Sequence, residues 1–336
     1  YDTIRGTGLA TGAGWPTYGH AVDSGSFLGK LRAKTGQTFD LPTEAQWEYA
    51  CRAGTTTALN TGKNLTSTEQ DSAMDEAGRY DNNQNDGKGG YSSNHTKVGS
   101  YLPNAWGLYD MHGNISEWCL DWYKSELGSS TVTDPKGDSS GSSRVVRGGS
   151  WLDDAQNCRS APRYYYNPSN YYTSLYNFNG FRVVLLLTAD AEEPEPTPEP
   201  DFTSDYLVVD LNTCGITASS TGPDLSDDTC RTTELWLRRI PKGTFIMGSP
   251  EGEVGRESGM SRETQHQVTL TEDFYIGVFE ITQKQYSLIY GSNPSSYKGD
   301  TRPVESVSYD TIRGTGSTAG AGWPTYGHAV DSGSFL

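Results

Sequence analysis

Short apolar runs separated by polar, glycine-rich stretches recur along the chain, and their length is typical of β-strands. The run VVLLLTA at 183–189 predicts a buried strand, because its apolar residues are continuous. Further strands are predicted at 143–151, 180–187, 206–211, 233–240, 243–249 and 266–282. No apolar run approaches the roughly 20 residues that a membrane helix needs, so we expect no membrane insertion in this segment.

Two segments have helical character. In PTEAQWEYACRAG (42–54), Trp47 and Cys51 are four residues apart and therefore share one helix face. Thr43 is the predicted N-cap, and Gly54 is the predicted stop signal. The second predicted helix, near 281–290, ends before the sequence GSNPSSY.

An internal repeat and an acidic spacer divide the chain. Residues 309–336 match residues 1–28 at 25 of 28 positions, with an offset of 308 residues. Residues 188–201 alternate Glu with Pro, which favours an extended spacer. The sequence predicts the second part of one domain at 1–187, a linker at 188–201, a small extension of the next repeat at 202–232, and the first part of the next domain at 233–336.

The net charge and the cysteine spacing argue against several classes of partner and site. The 336 residues carry a formal net charge of −16, which argues against nucleic acid as a partner. The five cysteines form no CxxC pair, so a zinc or thioredoxin-like site is not expected. Cys214 and Cys230 flank a polar loop that has no core of its own, and we expect them to form a disulfide that closes 202–232.

Seven motifs together resemble the formylglycine-generating-enzyme, or sulfatase-modifying-factor, domain. They lie at 39–54, 104–118, 144–151, 180–184, 240–257, 274–286 and 302–313. Their order is permuted relative to the family, and reading 202–336 before 29–187 restores it. We infer a longer polypeptide of tandem domains joined by Glu/Pro spacers. The alternatives are a natural circular permutation with redundant ends and an artificial arrangement of the segment.

The resemblance implies an α+β fold of the C-type-lectin-like kind. Such a fold is rich in loops, with small twisted antiparallel sheets and a few short helices. Irregular backbone of this kind buries polar groups that require partners, which metal ions and disulfides commonly help to supply.

The family's oxidases bind copper(I) through two closely spaced cysteines after a Gly-Gly-Ser motif, since soft thiolates suit that ion. Here Asp153 and Asp154 lie where a cysteine is expected, and Cys158 is the only thiol in that stretch. Another branch of the fold uses non-haem iron, but the histidines are scattered singly at His20, His95, His112, His266 and His328. We therefore expect no enzymatic activity.

The resemblance also suggests a disulfide and a glycoprotein. It favours a bridge between Cys51 and Cys158, with Cys119 as a competing partner for Cys158. The sequons at Asn64 and Asn94 lie in polar stretches and are candidate glycosylation sites if the chain is extracellular.

Calcium is the cofactor that the resemblance favours. Carried over by position within GLYDMHGNISEW, Asp110 and Glu117 would supply carboxylates, and Gly113 and Ile115 would supply backbone carbonyls. Calcium takes 6–8 oxygen ligands, which such a loop can provide. A second, weaker candidate site lies at 78–90, with the ligands Asp81, Asn82 and Asp86.

Residues 163–182 are unusually rich in aromatic side chains interleaved with Asn and Ser. The tyrosines that define a candidate binding surface are Tyr164, Tyr165, Tyr166, Tyr171, Tyr172 and Tyr176. Tyr, Ser and Asn make versatile contact surfaces, including surfaces for carbohydrate. The competing interpretation is that these tyrosines pack between successive domains.

The sequence therefore favours a non-catalytic, extracellular, calcium-stabilised domain repeated head to tail in a bacterial surface fibre. Its expected partners are further copies of itself, with glycans as additional candidates. Two alternatives remain: an adhesin module that uses the tyrosine-rich face, and a metal-dependent oxidase of the formylglycine-generating type.

Overall fold

The structure is a computed structural model that describes residues 22–84, 94–169, 177–187, 202–257 and 261–315. The helices are α1 (Phe27–Thr35), α2 (Glu44–Arg52), α3 (Ser72–Ala77), α4 (Thr229–Thr232), α5 (Gln283–Tyr290) and α6 (Tyr309–Arg313). The strands are β1 (Phe39–Asp40), β2 (Ser116–Trp122), β3 (Val132–Thr133), β4 (Arg144–Arg147), β5 (Tyr164–Tyr166), β6 (Asn179–Gly180), β7 (Val184–Leu186), β8 (Tyr206–Asp210), β9 (Ile216–Ser219), β10 (Glu234–Ile240), β11 (Gly243–Met247), β12 (His266–Leu270) and β13 (Phe274–Gly277).

The largest sheet combines strands from both sides of the acidic spacer. It has six antiparallel strands in the order β1-β7-β13-β10-β8-β9, so two strands from before the spacer pair with four from after it. The core beneath it is equally mixed, with Phe27 and Phe181 packing in one cluster with Leu207 and Leu237. The two parts of the chain therefore complete one another within a single body.

Two smaller sheets extend this body. The sheet β5-β4-β2-β6 comes from the first part of the chain, whereas β11-β12-β3 joins two strands of the second part to one of the first. Their neighbours are antiparallel except for β2 with β6 and β12 with β3. The expected α+β fold with small sheets and short helices is confirmed. The assignment of the parts to two consecutive domains stays a prediction.

The predicted helices form, with caps that local sequence explains. Thr43 caps α2 in a reciprocal capping box with Gln46, and Trp47 and Cys51 are buried, as their shared face requires. Arg52 is the last helical residue and Ala53 is the C-cap (φ 44°), so Gly54, with φ 93°, lies at the predicted C′ position. Within the described ranges, no helix has the length and apolar character needed to cross a lipid bilayer.

Buried arginine side chains stabilise much of the irregular backbone by donating hydrogen bonds to its carbonyl groups. Arg147 donates to the carbonyls of Ala161 (2.7 Å), Pro162 (2.5 Å) and Ser160 (3.0 Å), and its charge faces Glu48. A guanidinium has five N–H donors in a rigid fork, so one side chain can satisfy several loop carbonyls. The large side chains that are essentially inaccessible to solvent include Arg79, Arg144, Arg147, Arg159, Arg182 and Arg313.

The expected Cys51–Cys158 disulfide is absent, because the two thiols face different partners. Cys51 Sγ lies 3.6 Å from Ser160 Oγ, and Cys158 Sγ lies 3.8 Å from the carbonyl oxygen of Ser150. Both side chains are fully buried and free. The loop order that a bridge was expected to provide comes instead from hydrogen bonds to the main chain.

The other cysteines are also free thiols. The expected Cys214–Cys230 bridge does not form: the Cys230 thiol lies 3.5 Å from the carbonyl oxygen of Asp224, while Cys214 is half-buried. Cys119, the proposed competitor for Cys158, is buried on β2 with its thiol 4.0 Å from the Glu117 carbonyl oxygen. The extension at 202–232 is held by the β8–β9 hairpin instead.

Candidate functional site

The Gly-Gly-Ser motif follows β4 and forms a tight turn in which an aspartate is a structural element. Gly148 and Gly149 both have positive φ (93° and 69°). Asp153 accepts hydrogen bonds from the backbone N–H (2.9 Å) and the hydroxyl (2.6 Å) of Ser150, which closes the turn. At the position where the family's oxidases place a thiolate, this chain therefore has a carboxylate that stabilises its own backbone.

Cys158 does not have the surroundings of a copper ligand. It is fully buried, and burial raises the pKa of its thiol well above the ordinary value. Burial likewise raises the pKa of Cys51, to about 12. Linear copper(I) coordination needs two thiolates, so the residues after Gly-Gly-Ser do not fit that ion.

His112 has a structural role. His112 Nδ1 lies 2.7 Å from the carbonyl oxygen of Cys158, and its Nε2 accepts from the backbone N–H of Asn60 at 3.0 Å. Burial lowers its pKa to about 4, so the ring is neutral. Among the described residues, no three or more His, Cys, Asp or Glu side chains are grouped to hold a metal ion. His20 and His328 lie outside the described residues.

In the expected calcium loop, both carboxylate oxygens of Glu117 already accept hydrogen bonds from protein side chains. Arg182 donates to both of its carboxylate oxygens (2.6 and 2.7 Å), and Trp47 Nε1 donates a third hydrogen bond at 2.9 Å. All three side chains are essentially inaccessible to solvent. Glu117 therefore fits the role of counter-ion to Arg182 better than the expected role of calcium ligand.

Asp110 remains available within the same loop. Its Oδ2 accepts from the backbone N–H of Gly99 at 2.6 Å, whereas its Oδ1 has no hydrogen-bond partner although the residue is only 2% exposed. Burial raises its pKa to about 6. The left-handed backbone at Asp110 and Gly113 (φ 55° and 72°) turns the loop back on itself before Ile115 leads into β2.

Glu280 is the residue that the sequence predictions missed. It is buried, and both its carboxylate oxygens accept from Asn114 Nδ2 (3.1 and 2.9 Å). Burial, and then the charge of Asp110, raise its pKa well above the ordinary value. The sequence signal is a glutamate inside the otherwise apolar run 278–281. A glutamate is almost never fully buried unless it has a partner.

The weaker calcium candidate and the sequons lie in different environments. Asp81 and Asn82 are exposed, and Asp81 accepts from Gln84 Nε2 at 2.6 Å. Asp86 lies outside the described residues. Asn64 is exposed, as a glycan acceptor must be.

Asn94, by contrast, is unsuited to glycosylation in the folded chain. It is buried, and its Oδ1 accepts from Arg302 Nη1 at 2.6 Å. A glycan on its amide nitrogen would have to displace packed protein, so this expectation is corrected.

Only part of the tyrosine-rich surface faces solvent. On β5, Tyr164 and Tyr166 pack against the core, while Tyr165 is 43% exposed and stacks on Tyr123 with a centroid distance of 4.0 Å. This is the alternation of a strand with one buried face. The remaining candidates, Tyr171, Tyr172 and Tyr176, lie outside the described residues.

A cavity of about 320 Å³ is lined by Thr56, Ile246, Gly248, Gln265 and His266. It includes none of the predicted ligands or tyrosines.

Comparison with known proteins assigns the family. The profile of the sulfatase-modifying factor enzyme 1-like domain matches residues 17–187. The chain is 35% identical over 156 residues to the formylglycine-generating enzyme of Mus musculus (45% of this chain, 40% of the relative) and 40% identical over 114 residues to that of Streptomyces coelicolor (33% and 36%). Treponema denticola variable protein 1 superposes with a TM-score of 0.35 at 35% identity, covering 44% of this chain and 47% of that one. The chain spans less than half the length of each of these relatives, and it belongs to the sulfatase-modifying factor enzyme 1-like domain family.

Proposed function

We propose that this chain is a non-catalytic structural repeat of a secreted bacterial fibre, built from tandem calcium-stabilised domains. The observation that carries the proposal is the position of α6. This helix belongs to the second copy of the duplicated segment, and it packs beside Asp23 and α1, at the end of the first copy.

The contacts between the two copies are specific. The backbone N–H of Asp23 donates to the carbonyl of Arg313 (3.0 Å), and the N–H of Thr315 donates to Asp23 Oδ2 (2.9 Å). The described part of one domain thus contains residues of both copies, up to 315 in the second copy and from 22 in the first. In an array with a period of 308, residue 315 corresponds to residue 7, so the chain beyond it would continue through the equivalents of 8–187 and every domain would be continuous.

The absence of catalysis is supported by the turn after β4. Asp153 is engaged with Ser150, and Cys158 is a buried, protonated thiol without a second thiol beside it in that stretch. A thiol oxidase of this family would need a reactive pair at this position.

The surrounding reading frame tests both parts of the proposal. We expect further copies at intervals of 308 residues, joined by Glu/Pro spacers and lacking a cysteine pair after Gly-Gly-Ser. A frame that holds a single domain would contradict the array. Stoichiometric copper(I) bound by the purified chain, measured by titration under anaerobic conditions, would contradict the non-catalytic role.

For calcium, we propose Asp110 and Glu280 as the carboxylate ligands, supplemented by main-chain oxygens of Gly113 and Ile115. The support is the unpartnered oxygen of Asp110 and an excess of buried negative charge: Asp110, Glu117 and Glu280 share the guanidinium of Arg182, and the second guanidinium near Asp110, that of Arg231, also pairs with Asp228. A divalent cation would offset that excess, and calcium accepts carboxylate and carbonyl oxygens. It would join the first part of the chain to the second.

Calcium is therefore expected to raise the thermal stability of the full chain, by about 2.7 kcal/mol when its concentration is 100 times the Kd. Asp110→Asn and Glu280→Gln should each remove most of this increment, because each removes a charged ligand. Scanning calorimetry with and without a chelator measures it. Asp81→Asn is the matched control and should retain the full increment. An unchanged increment in Glu280→Gln would overturn the assignment.

A second candidate function is an adhesin module, favoured by Tyr165. Its exposed ring, supported from behind by Tyr123, is a flat aromatic surface of the kind on which sugars stack. Tyr164 and Tyr166 contribute less to such a surface, because both are partly buried against the core.

A further inference from the structure

We propose that each repeat is attached to its array through one end of the strands of the six-stranded sheet, where β7 ends and β8 begins, so that the domains are mounted side-on along the linkers and the chain does not itself impose end-to-end stacking. The geometry rests on strand register alone, and its meaning for a fibre rests on the proposed tandem function. The order of copies along the chain remains head to tail, but the contacts between neighbours need not be.

The register places both ends of the domain in one row of the sheet. Val184 on β7 lies opposite Ile276, Ile276 lies opposite Arg238, and Arg238 lies opposite Tyr206 at the start of β8. Three strand spacings separate Val184 from Tyr206. At about 4.8 Å for each spacing, this distance is about 14 Å.

The strand directions bring the two ends to the same edge. Each neighbouring pair from β7 through β13 and β10 to β8 is antiparallel, so β7 and β8 run in opposite directions. The end of β7 and the start of β8 therefore lie on the same side of the sheet, at the same end of its strands. Both flanks are anchored there, since Leu187 and Phe202 pack against the same core cluster and Tyr275 Oη donates to the carbonyl of Ser204 at 2.5 Å.

The linker is longer than this gap requires. Fourteen residues at about 3.1 Å each in a polyproline II conformation reach about 43 Å, three times the separation of the ends. A compact domain of this size is about 50 Å across. Only if the chain entered and left each domain at opposite poles would the linker itself impose an end-to-end stack. Here the contour of each repeat would be at most about 57 Å and would be set by the linker.

Linker shortening in the full chain tests the geometry. Deletion of residues 192–197 leaves eight linker residues, which still reach about 25 Å. We expect this variant to remain monomeric by light scattering after size exclusion, with a melting temperature within about 2 °C of the parent. If the ends lay at opposite poles, eight residues could not join them, and the variant would form oligomers completed by a second copy. Such oligomers would overturn the proposal.

Deletion of the whole linker, 188–201, is the control in which the remaining chain is too short to span the gap. Direct joining of Leu187 to Phe202 spans about 3.8 Å, so the gap can close only if strand residues at the ends of β7 or β8 detach. We expect oligomers or a marked loss of stability. Normal monomers with unchanged stability would contradict the 14 Å separation.

The array itself requires a different readout. In the parent protein, insertion of ten residues into one linker should increase the largest distance between neighbouring domains by about 31 Å, measured by electron microscopy. An unchanged spacing would mean that contacts between domains fix the array, which overturns side-on mounting. If the longer polypeptide had no second domain, the proposed function would be overturned, but the results of linker shortening would still hold.

Discussion

Asp40→Asn is expected to lower the free energy of unfolding by about 3–5 kcal/mol, because it removes one member of a buried ion cluster. Asp40 accepts from Arg313 Nε (2.8 Å) and Nη2 (3.1 Å) and from Arg32 Nη2 (3.1 Å). It is buried beneath α6, so the substitution leaves two guanidinium groups facing a neutral amide. Urea denaturation of the full chain at pH 7 measures the loss.

Asp138→Asn provides the control, since Asp138 pairs with Lys124 (3.7 Å) where both side chains are more than half exposed. Its cost should be at most about 1 kcal/mol. Equal losses in the two variants would show that the Asp40 cluster does not hold α6 in place.

The Asp40 effect should also depend on pH. Burial alone would raise the pKa of Asp40, but Arg313 and Arg32 hold it below the ordinary value. Because the folded pKa is the lower one, the stabilisation is complete above about pH 4 and is lost as the pH falls through the folded pKa. The difference between the parent and Asp40→Asn should therefore shrink below about pH 4.

Arg182→Met is expected to cost a similar amount, about 3–5 kcal/mol. It removes both hydrogen bonds to Glu117 and leaves that carboxylate buried near Asp110 and Glu280 without the guanidinium they share. It also removes bonds to the carbonyl oxygens of Gly277 and Tyr109, each 3.0 Å long. Chemical denaturation in the presence of a chelator isolates this effect from calcium.

Three further variants make the Arg182 result interpretable. Arg262→Met removes a partly exposed pair with Glu257 (3.2 Å) and should cost at most about 1 kcal/mol. Glu117→Gln, made alone and together with Arg182→Met, removes the stranded charge but keeps an acceptor for Trp47, so the cycle should show a coupling of about 1–3 kcal/mol. Additive losses would mean that packing, and not charge pairing, sets the cost.

Features that depend on nearby residues were predictable from the sequence. The α2 helix was foreseen because its cap, Thr43, and its buried face, Trp47 and Cys51, lie within nine residues. The α5 helix has the same local logic, with Thr282 and Gln285 forming a capping box before Gly291 ends the helix at φ 95°. Apolar runs located β7, β8, β10 and β13 of the large sheet for the same reason, whereas its edge strands β1 and β9 were not predicted.

The site was less predictable, because its contacts join distant positions. Glu117 meets Arg182 across 65 residues, and Asn114 meets Glu280 across 166. No local pattern distinguishes a glutamate that binds a guanidinium from one that binds a cation. The resemblance supplied the loop around Asp110, but only the packing of the second part of the chain shows that Glu280 lies beside it.

The hydrogen bonds by which arginines stabilise the loops would also matter for the folding of many such domains in one polypeptide, as in the proposed array. Disulfides in repeated units offer wrong partners in every neighbouring unit, and correcting them requires slow thiol exchange. A guanidinium such as that of Arg147 or Arg159 finds its acceptors reversibly within its own domain. In the proposed array, loops secured in this way would not depend on an oxidation step to become ordered.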